Sequence, residues 1–306
     1  MPPRQRRAAA DGGNGSSVTP DLVRVDSEDS KEPANEGEAP TTKSTSVSDK
    51  ITPAPSPLLD SLLGTYGKFS GNTFTADQGL KIIQWSSWAI SYATANSHKH
   101  GLSPGLRKLY GEISMTRYVL RFYGFLQSLE GYRSGSWAGG QWNDGRIAKL
   151  AKYAMAGSML AYYPLEHIAY AGWKCPELVR VDANKFSAIS CVFWTTYIAG
   201  DFAVSFLKWK ELGKKARAMR DDLMRAKRTD DKQAVIDILE KENELRGKLR
   251  HVKLQMLRCM LFILPSINWS LPNWATDPLL DELHLNGLML GEAYVSVYQS
   301  LRSMLG

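Results

Sequence analysis

From Phe186 to Leu207 the chain runs for 22 residues in which Asp201 is the one fully charged side chain. As a helix rising 1.5 Å per residue, that length covers the hydrocarbon core of a bilayer, which takes about 20 residues. Ser187, Ser190, Thr195 and Thr196 dilute its hydropathy, so the stretch fits a transmembrane helix or a buried or re-entrant one. The segment that follows, 208–253, holds fifteen Lys/Arg against nine Asp/Glu, a net of +6 within a chain whose total is +7. Under the positive-inside rule a basic flank directly after an apolar span faces the cytosol. Arg117, Arg121 and the lysines after Leu207 match anionic lipid head groups. A mean hydropathy of −0.29 excludes a bundle of many long spans, so membrane attachment uses few or shallow segments.

The rest of the chain reads as helix. Alternating strand patterns and internal repeats are absent, and the fold class is all-α: amphipathic and membrane-embedded helices after a disordered N-terminal tail. Residues 1–57 contain no Phe, Trp or Tyr and eight of the fourteen prolines, too little apolar surface to offset chain entropy. A helical membrane domain occupies 58–306 and includes 208–253 as a charged cytosolic helix. It opens with Leu58, Leu59, Leu62 and Leu63 at three-and-four spacing.

A second helix is expected over 75–95. There Gln84, Ser87 and Ser91 form a narrow polar strip beside an apolar arc of Leu80, Ile83, Trp85, Trp88, Ile90 and Tyr92, with Lys81 isolated. A third runs from Leu106 to Leu129, with Arg117 and Arg121 one turn apart. Gly131 to Gly145 reads as a glycine-rich loop whose Trp137 and Trp142 reach a membrane interface. A helix from Ile147 to Tyr163 is expected to end at Pro164, because the residue before proline is pushed out of the α region. Met256–Trp269 and Leu283–Leu301, which carries His284 and Glu292, read as interfacial or spanning. Within 208–253, Val235, Ile238, Leu245, Leu249, Val252 and Met256 form a seam on one long helix, either packed on the domain or self-associating as a coiled coil.

No catalytic or metal chemistry is indicated. Cys175, Cys191 and Cys259 are far apart and fit reduced thiols facing the cytosol. Glu166 and His167 are adjacent, about 100° apart on a helix, and cannot share a metal or form a relay. Phosphate loops, nucleophile elbows and the H-E-x-x-H spacing do not occur, so no cofactor is implied and the chain is not read as an enzyme. The interleaving of acids and bases in 208–253 argues against nucleic acid as a partner. The N-terminus lacks a secretory apolar region and the C-terminus lacks a peroxisomal matrix tripeptide, so entry to that organelle is expected by the membrane route.

The run Ala161-Tyr162-Tyr163-Pro164-Leu165-Glu166-His167-Ile168-Ala169-Tyr170-Ala171 resembles the "YYP-EH-AWA" signature of the gamma-type branch of the peroxin-eleven family. Val181-Asp182 and the helix opening near Lys185-Phe186 follow at the family's interval. Gly79–Trp85 resembles its early "D+-LR-IQY" helix, with Asp77 and Lys81 at the charged places; Thr116–Phe122 resembles "SR+-LRLF"; Leu288–Ser300 resembles its closing membrane helix. The 1–57 tail and the 208–253 segment are longer than the family pattern.

The resemblance implies a peroxisomal membrane protein with its termini toward the cytosol. It also implies an amphipathic helix inserting in the outer leaflet, self-association into homo-oligomers, and recruitment of organelle-fission machinery including a dynamin-related GTPase. The function expected is membrane remodelling, elongation and fission. Leu80, Lys81, Ile83, Trp85, Trp88, Arg117 and Arg121 are expected to meet the phospholipid bilayer, with its anionic head groups. Tyr162, Tyr163, Pro164, Glu166 and His167 form the structural signature, with Pro164 breaking the helix and the tyrosines at the membrane–water boundary. A pore for small metabolites is the alternative, with Thr195, Thr196 and Asp201 lining it; otherwise Asp201 marks the cytosolic end of a shorter span.

Overall fold

The computed structural model describes residues 57–71, 73–95, 101–134 and 145–305. These form eight helices and no strand: α1 Pro57–Ser70, α2 Thr73–Ala93, α3 Leu102–Leu120, α4 Phe122–Ser134, α5 Arg146–Lys174, α6 Ala183–Arg228, α7 Lys232–Ser270 and α8 Glu282–Leu305. The described part of the fold from Ser61 onward is one compact unit. The tail expected over 1–57 lies outside the described residues except for Pro57, which opens α1.

Three aspartates start the longer C-terminal helices by accepting a backbone N–H that the first turn leaves unpaired. Asp182 takes Lys185 N at 3.1 Å, Asp231 takes Ala234 N at 3.0 Å and Asp281 takes His284 N at 2.8 Å. Between α6 and α7 the chain reverses through Thr229–Asp231, where Asp230 adopts a left-handed φ of 52° that a short polar side chain tolerates. α5, α6 and α7 then pack as successive antiparallel neighbours, α2 pairs with α3, α4 lies on α5, and α8 closes against α2 and α7. The α5–α6 approach is close: a Cβ at Gly200 would collide with Met155.

Four expectations about the elements change. The helix expected from Leu106 to Leu129 is two helices, α3 and α4, parted by a turn at Arg121. Gly131–Ser134 is the end of α4 rather than loop, and 135–144, with Trp137 and Trp142, lies outside the described residues. The third change is that α5 continues through Pro164 to Lys174. Proline there removes one N–H, but its ring is exposed while Tyr162, Glu166 and Ala169 on either side are buried, so inward packing across the position outweighs the lost bond. The fourth concerns 208–253, which is an antiparallel hairpin rather than one helix. Its seam of Leu212, Leu245 and Val252, with Ala216, Met219, Leu249 and Met256, joins the two arms to each other, which answers the choice left open by periodicity.

Beside its apolar clusters the bundle buries many polar side chains and exposes many apolar ones. Gln78, Lys81, Gln84, Ser87 and Ser91 of α2 are buried, while Ile83, Ile90 and Tyr92 of the same helix are exposed. The same holds for α3 to α5, where Val119, Phe122, Tyr123, Leu126, Ile147 and Leu150 face outward and Arg117, Lys152 and Glu166 face inward. These buried polar groups lie beneath an exposed apolar surface of the kind that marks a contact with lipid or with another protein. Among the described residues one helix, α6, is long and apolar enough to cross a membrane, with a mean hydropathy of 1.3 over its best window.

Candidate functional site: a charged interior under an apolar surface

Two charge clusters sit inside the bundle. In the first, Arg117 on α3 reaches across to α2, its Nε and Nη2 donating to the two carboxylate oxygens of Asp77 at 2.7 and 3.1 Å and its Nη1 donating to Gln84 at 2.7 Å. One turn on, Arg121 points the other way, to α5, where it meets Glu166 and donates to the Tyr162 hydroxyl at 2.7 Å. Tyr162 in turn donates to Glu166, and Arg121 lies over the Tyr118 ring. Arg121 occupies the break between α3 and α4, so this pair fixes where α4 departs. Two contacts continue along α4: Phe122 meets the His167 ring edge-on at 4.8 Å, and Gly124 lies so close to Tyr163 that a Cβ there would overlap the phenol.

The second cluster joins α2, α7 and α8. Lys81 pairs with Glu292 and sits over the Phe262 ring; Arg258 approaches the same carboxylate at 3.6 Å, and Ser296 donates to it at 2.8 Å. Between the clusters lies a cavity of about 180 Å³, walled by these charged groups and by Tyr118, Trp194, Tyr197 and Phe262. Each acid in its wall faces a cation, as burial of charge demands. Asp201 is outside this lining; it accepts from Gln255 and, at 3.6 Å, from the Cys259 thiol, tying α6 to α7. At the root of the arm, burial together with the cations Lys208 and Arg258 holds the His251 imidazole below its ordinary pKa.

The family model described as Peroxisomal biogenesis factor 11 (PEX11) matches residues 63–269. The chain belongs to this family. No curated protein and no solved structure matches it. The match is to the PEX11 family as a whole, a family of peroxisome biogenesis factors rather than of enzymes, and does not distinguish the gamma-type branch. Membership places the chain at the peroxisome, and all of α2 to α6 falls inside the matched span.

Of the seven residues expected at the bilayer, Ile83 is exposed and Leu80 partly so. Trp85 and Trp88 are each 2% exposed, in a cluster with Tyr110, Met289 and Ala293. Lys81, Arg117 and Arg121 are turned inward into ion pairs, where a facing carboxylate offsets the cost of burying each cation. Tyr162 is likewise buried in the network rather than hydrated, and His167 bonds back to the Tyr163 carbonyl at 2.6 Å. The partner that sequence reading missed is Glu292. Its signal was present: Lys81 is the one cation of α2 and Glu292 the one fully charged residue between Leu283 and Leu301, and charges so placed on apolar helices need one another.

Proposed function

We propose that this PEX11-family protein remodels the peroxisomal membrane, with α6 as its span, the basic hairpin on the cytosolic side, and α4 as the element that enters one leaflet. The observation that carries the reading is the outward face of α4. Phe122 and Leu126 are 65% and 64% exposed, Tyr123, Leu129 and Tyr132 lie beside them, and Arg121 fixes the helix at one end. An apolar helix laid into the boundary between head groups and acyl chains expands that leaflet and favours curvature. Of the two helices expected to enter the leaflet, 75–95 and 106–129, the first keeps the large rings of Trp85 and Trp88 inside, and the wedge falls to α4, which begins within the second. Self-association, termini toward the cytosol and recruitment of a dynamin-related GTPase are carried by the family resemblance.

The test is reconstitution of the full chain into anionic liposomes. Wild type is expected to draw tubules, and Phe122→Ser/Leu126→Ser to incorporate equally while leaving vesicles spherical. Tubulation undiminished in that variant sinks the wedge reading. The cavity between the charge clusters favours the metabolite pore as second reading. If the interior conducts, Arg258→Ala and Glu292→Ala alter planar-bilayer conductance, whereas Asp201→Asn, outside the lining, leaves it unchanged.

A further inference from the structure

α6 does not stop where its apolar stretch ends. It continues unbroken from Leu207 to Arg228, about 31 Å at 1.5 Å per residue, as one arm of the hairpin. The hairpin's charge is not shared evenly. On α6 the positions 208–228 carry nine Lys/Arg and three Asp/Glu, net +6; on α7 the positions 232–253 carry six and four, net +2; the turn carries Asp230 and Asp231. With Leu212, Ala216 and Met219 facing α7, three-and-four spacing puts Lys210, Lys214, Arg217, Asp221, Met224 and Arg228 along the opposite, exposed side. Acids elsewhere on the hairpin take partners on their own helix, Glu211 with Lys215, Asp222 with Arg225, Glu242 with Arg246 and Glu244 with Lys248. Lys214, Arg217 and Arg228 have no acidic partner among the described residues.

We infer that this flank of α6 is a docking surface for an elongated acidic segment of another protein, with carboxylates spaced three and four apart along one helical face and an apolar contact for Met224. The inference rests on the reading of α6 as a span, for that reading removes the nearest competing anion. Along a helix leaving the membrane, Arg217 stands about 15 Å and Arg228 about 31 Å beyond Leu207. Both exceed the screening length of about 8–10 Å at physiological salt, so the protein's own lipid head groups reach Lys210 and, at about 10 Å, the edge of Lys214, but leave the outer stripe at Arg217 and Arg228 free. An opposing membrane would meet the tip first, and the tip is mixed, with Asp230 and Asp231 between Lys227, Arg228 and Lys232. Charge set along the side, over several turns, fits a partner lying along the side.

The test uses the full chain in lipid nanodiscs, with a fluorescein-labelled 20-residue polyglutamate peptide as probe. Binding is expected to weaken steeply with salt, and at least tenfold in Lys214→Glu/Arg217→Glu/Arg228→Glu. A matched reversal on the other flank, Lys241→Glu/Lys248→Glu/Arg250→Glu, is expected to change it less than twofold. Equal losses from both flanks, or no peptide binding by wild type, overturn the inference. So does capture of free anionic vesicles through Lys214, Arg217 and Arg228 without peptide binding, which makes the occupant a membrane. Incorporation into nanodiscs reports on the span separately: a chain that binds the peptide with this flank dependence but stays outside nanodiscs refutes the span and not the docking surface.

Discussion

Glu166→Ala tests the interior most directly. The Glu166 and Arg121 side chains are 5% and 23% exposed, and the substitution leaves Arg121 facing the Tyr162 hydroxyl and the Arg117 carbonyl with no carboxylate in contact, the nearby Asp77 being held by Arg117. Removing one member of a buried pair costs about 3–5 kcal/mol, because the remaining charge stays desolvated. At about 2–4 °C per kcal/mol for a domain of this size, the midpoint of thermal unfolding should fall by roughly 6–20 °C. The decisive comparison is a cycle of Glu166→Ala, Arg121→Leu and the double substitution, followed in detergent by fluorescence and size exclusion. The double is expected to be markedly less destabilised than the sum of the singles, since it buries no orphan charge. Because Arg121 is the turn between α3 and α4, hydrogen exchange in 122–134 should also rise in Glu166→Ala before the rest of the bundle opens. A drop under about 2 °C with additive singles would refute the claim that this pair organises the junction.

Pro164→Ala, which the sequence alone marks as disruptive, is expected to leave α5 intact and raise or preserve the midpoint, since alanine restores an N–H to an already continuous helix; a loss of folded protein would contradict the uninterrupted α5. Gly124→Ala should destabilise despite alanine's better helix propensity, because its Cβ overlaps the Tyr163 ring, and a gain in midpoint would show that α4 does not sit this close to α5. Leu245→Ala empties the hairpin seam at a cost of about 2–5 kcal/mol, read as proteolysis confined to 208–253 with the apolar bundle protected. Since the folded state holds His251 below its ordinary pKa of 6.5, protonation favours unfolding. The contribution is complete above about pH 6.5 and lost as the pH falls below it, so His251→Gln should narrow the midpoint difference between pH 7.5 and 5.5. An unchanged difference would mean the imidazole does not report on hairpin docking.

What the sequence determined by itself is the all-helical class, the position of the candidate span and the family. Those follow from local quantities: the 3.6-residue periodicity, the length of the uncharged run at 186–207, and a motif around Tyr162 that survives in order along the chain. The caps act just as locally, Asp182, Asp231 and Asp281 each within three residues of itself, but periodicity does not single them out: it runs one helix through the turn that Asp231 follows. Which way each helix faces was decided only in three dimensions. The arc around Trp85 is apolar on a helical wheel whether it meets lipid or protein, and only the arrival of Tyr110, Met289 and Ala293 from α3 and α8 turns it inward. Lys81 and Glu292 lie more than two hundred residues apart, so no local pattern links them, although each alone signals an unmet charge. Pro164 shows the converse: its local rule is sound, but burial of Tyr162 and Glu166 on either side sets a larger energy against it. A single sequence records what each residue prefers, and the tertiary structure decides which preference gives way, because the energies of burial and charge pairing belong to pairs of residues and depend on distances that the chain order does not contain.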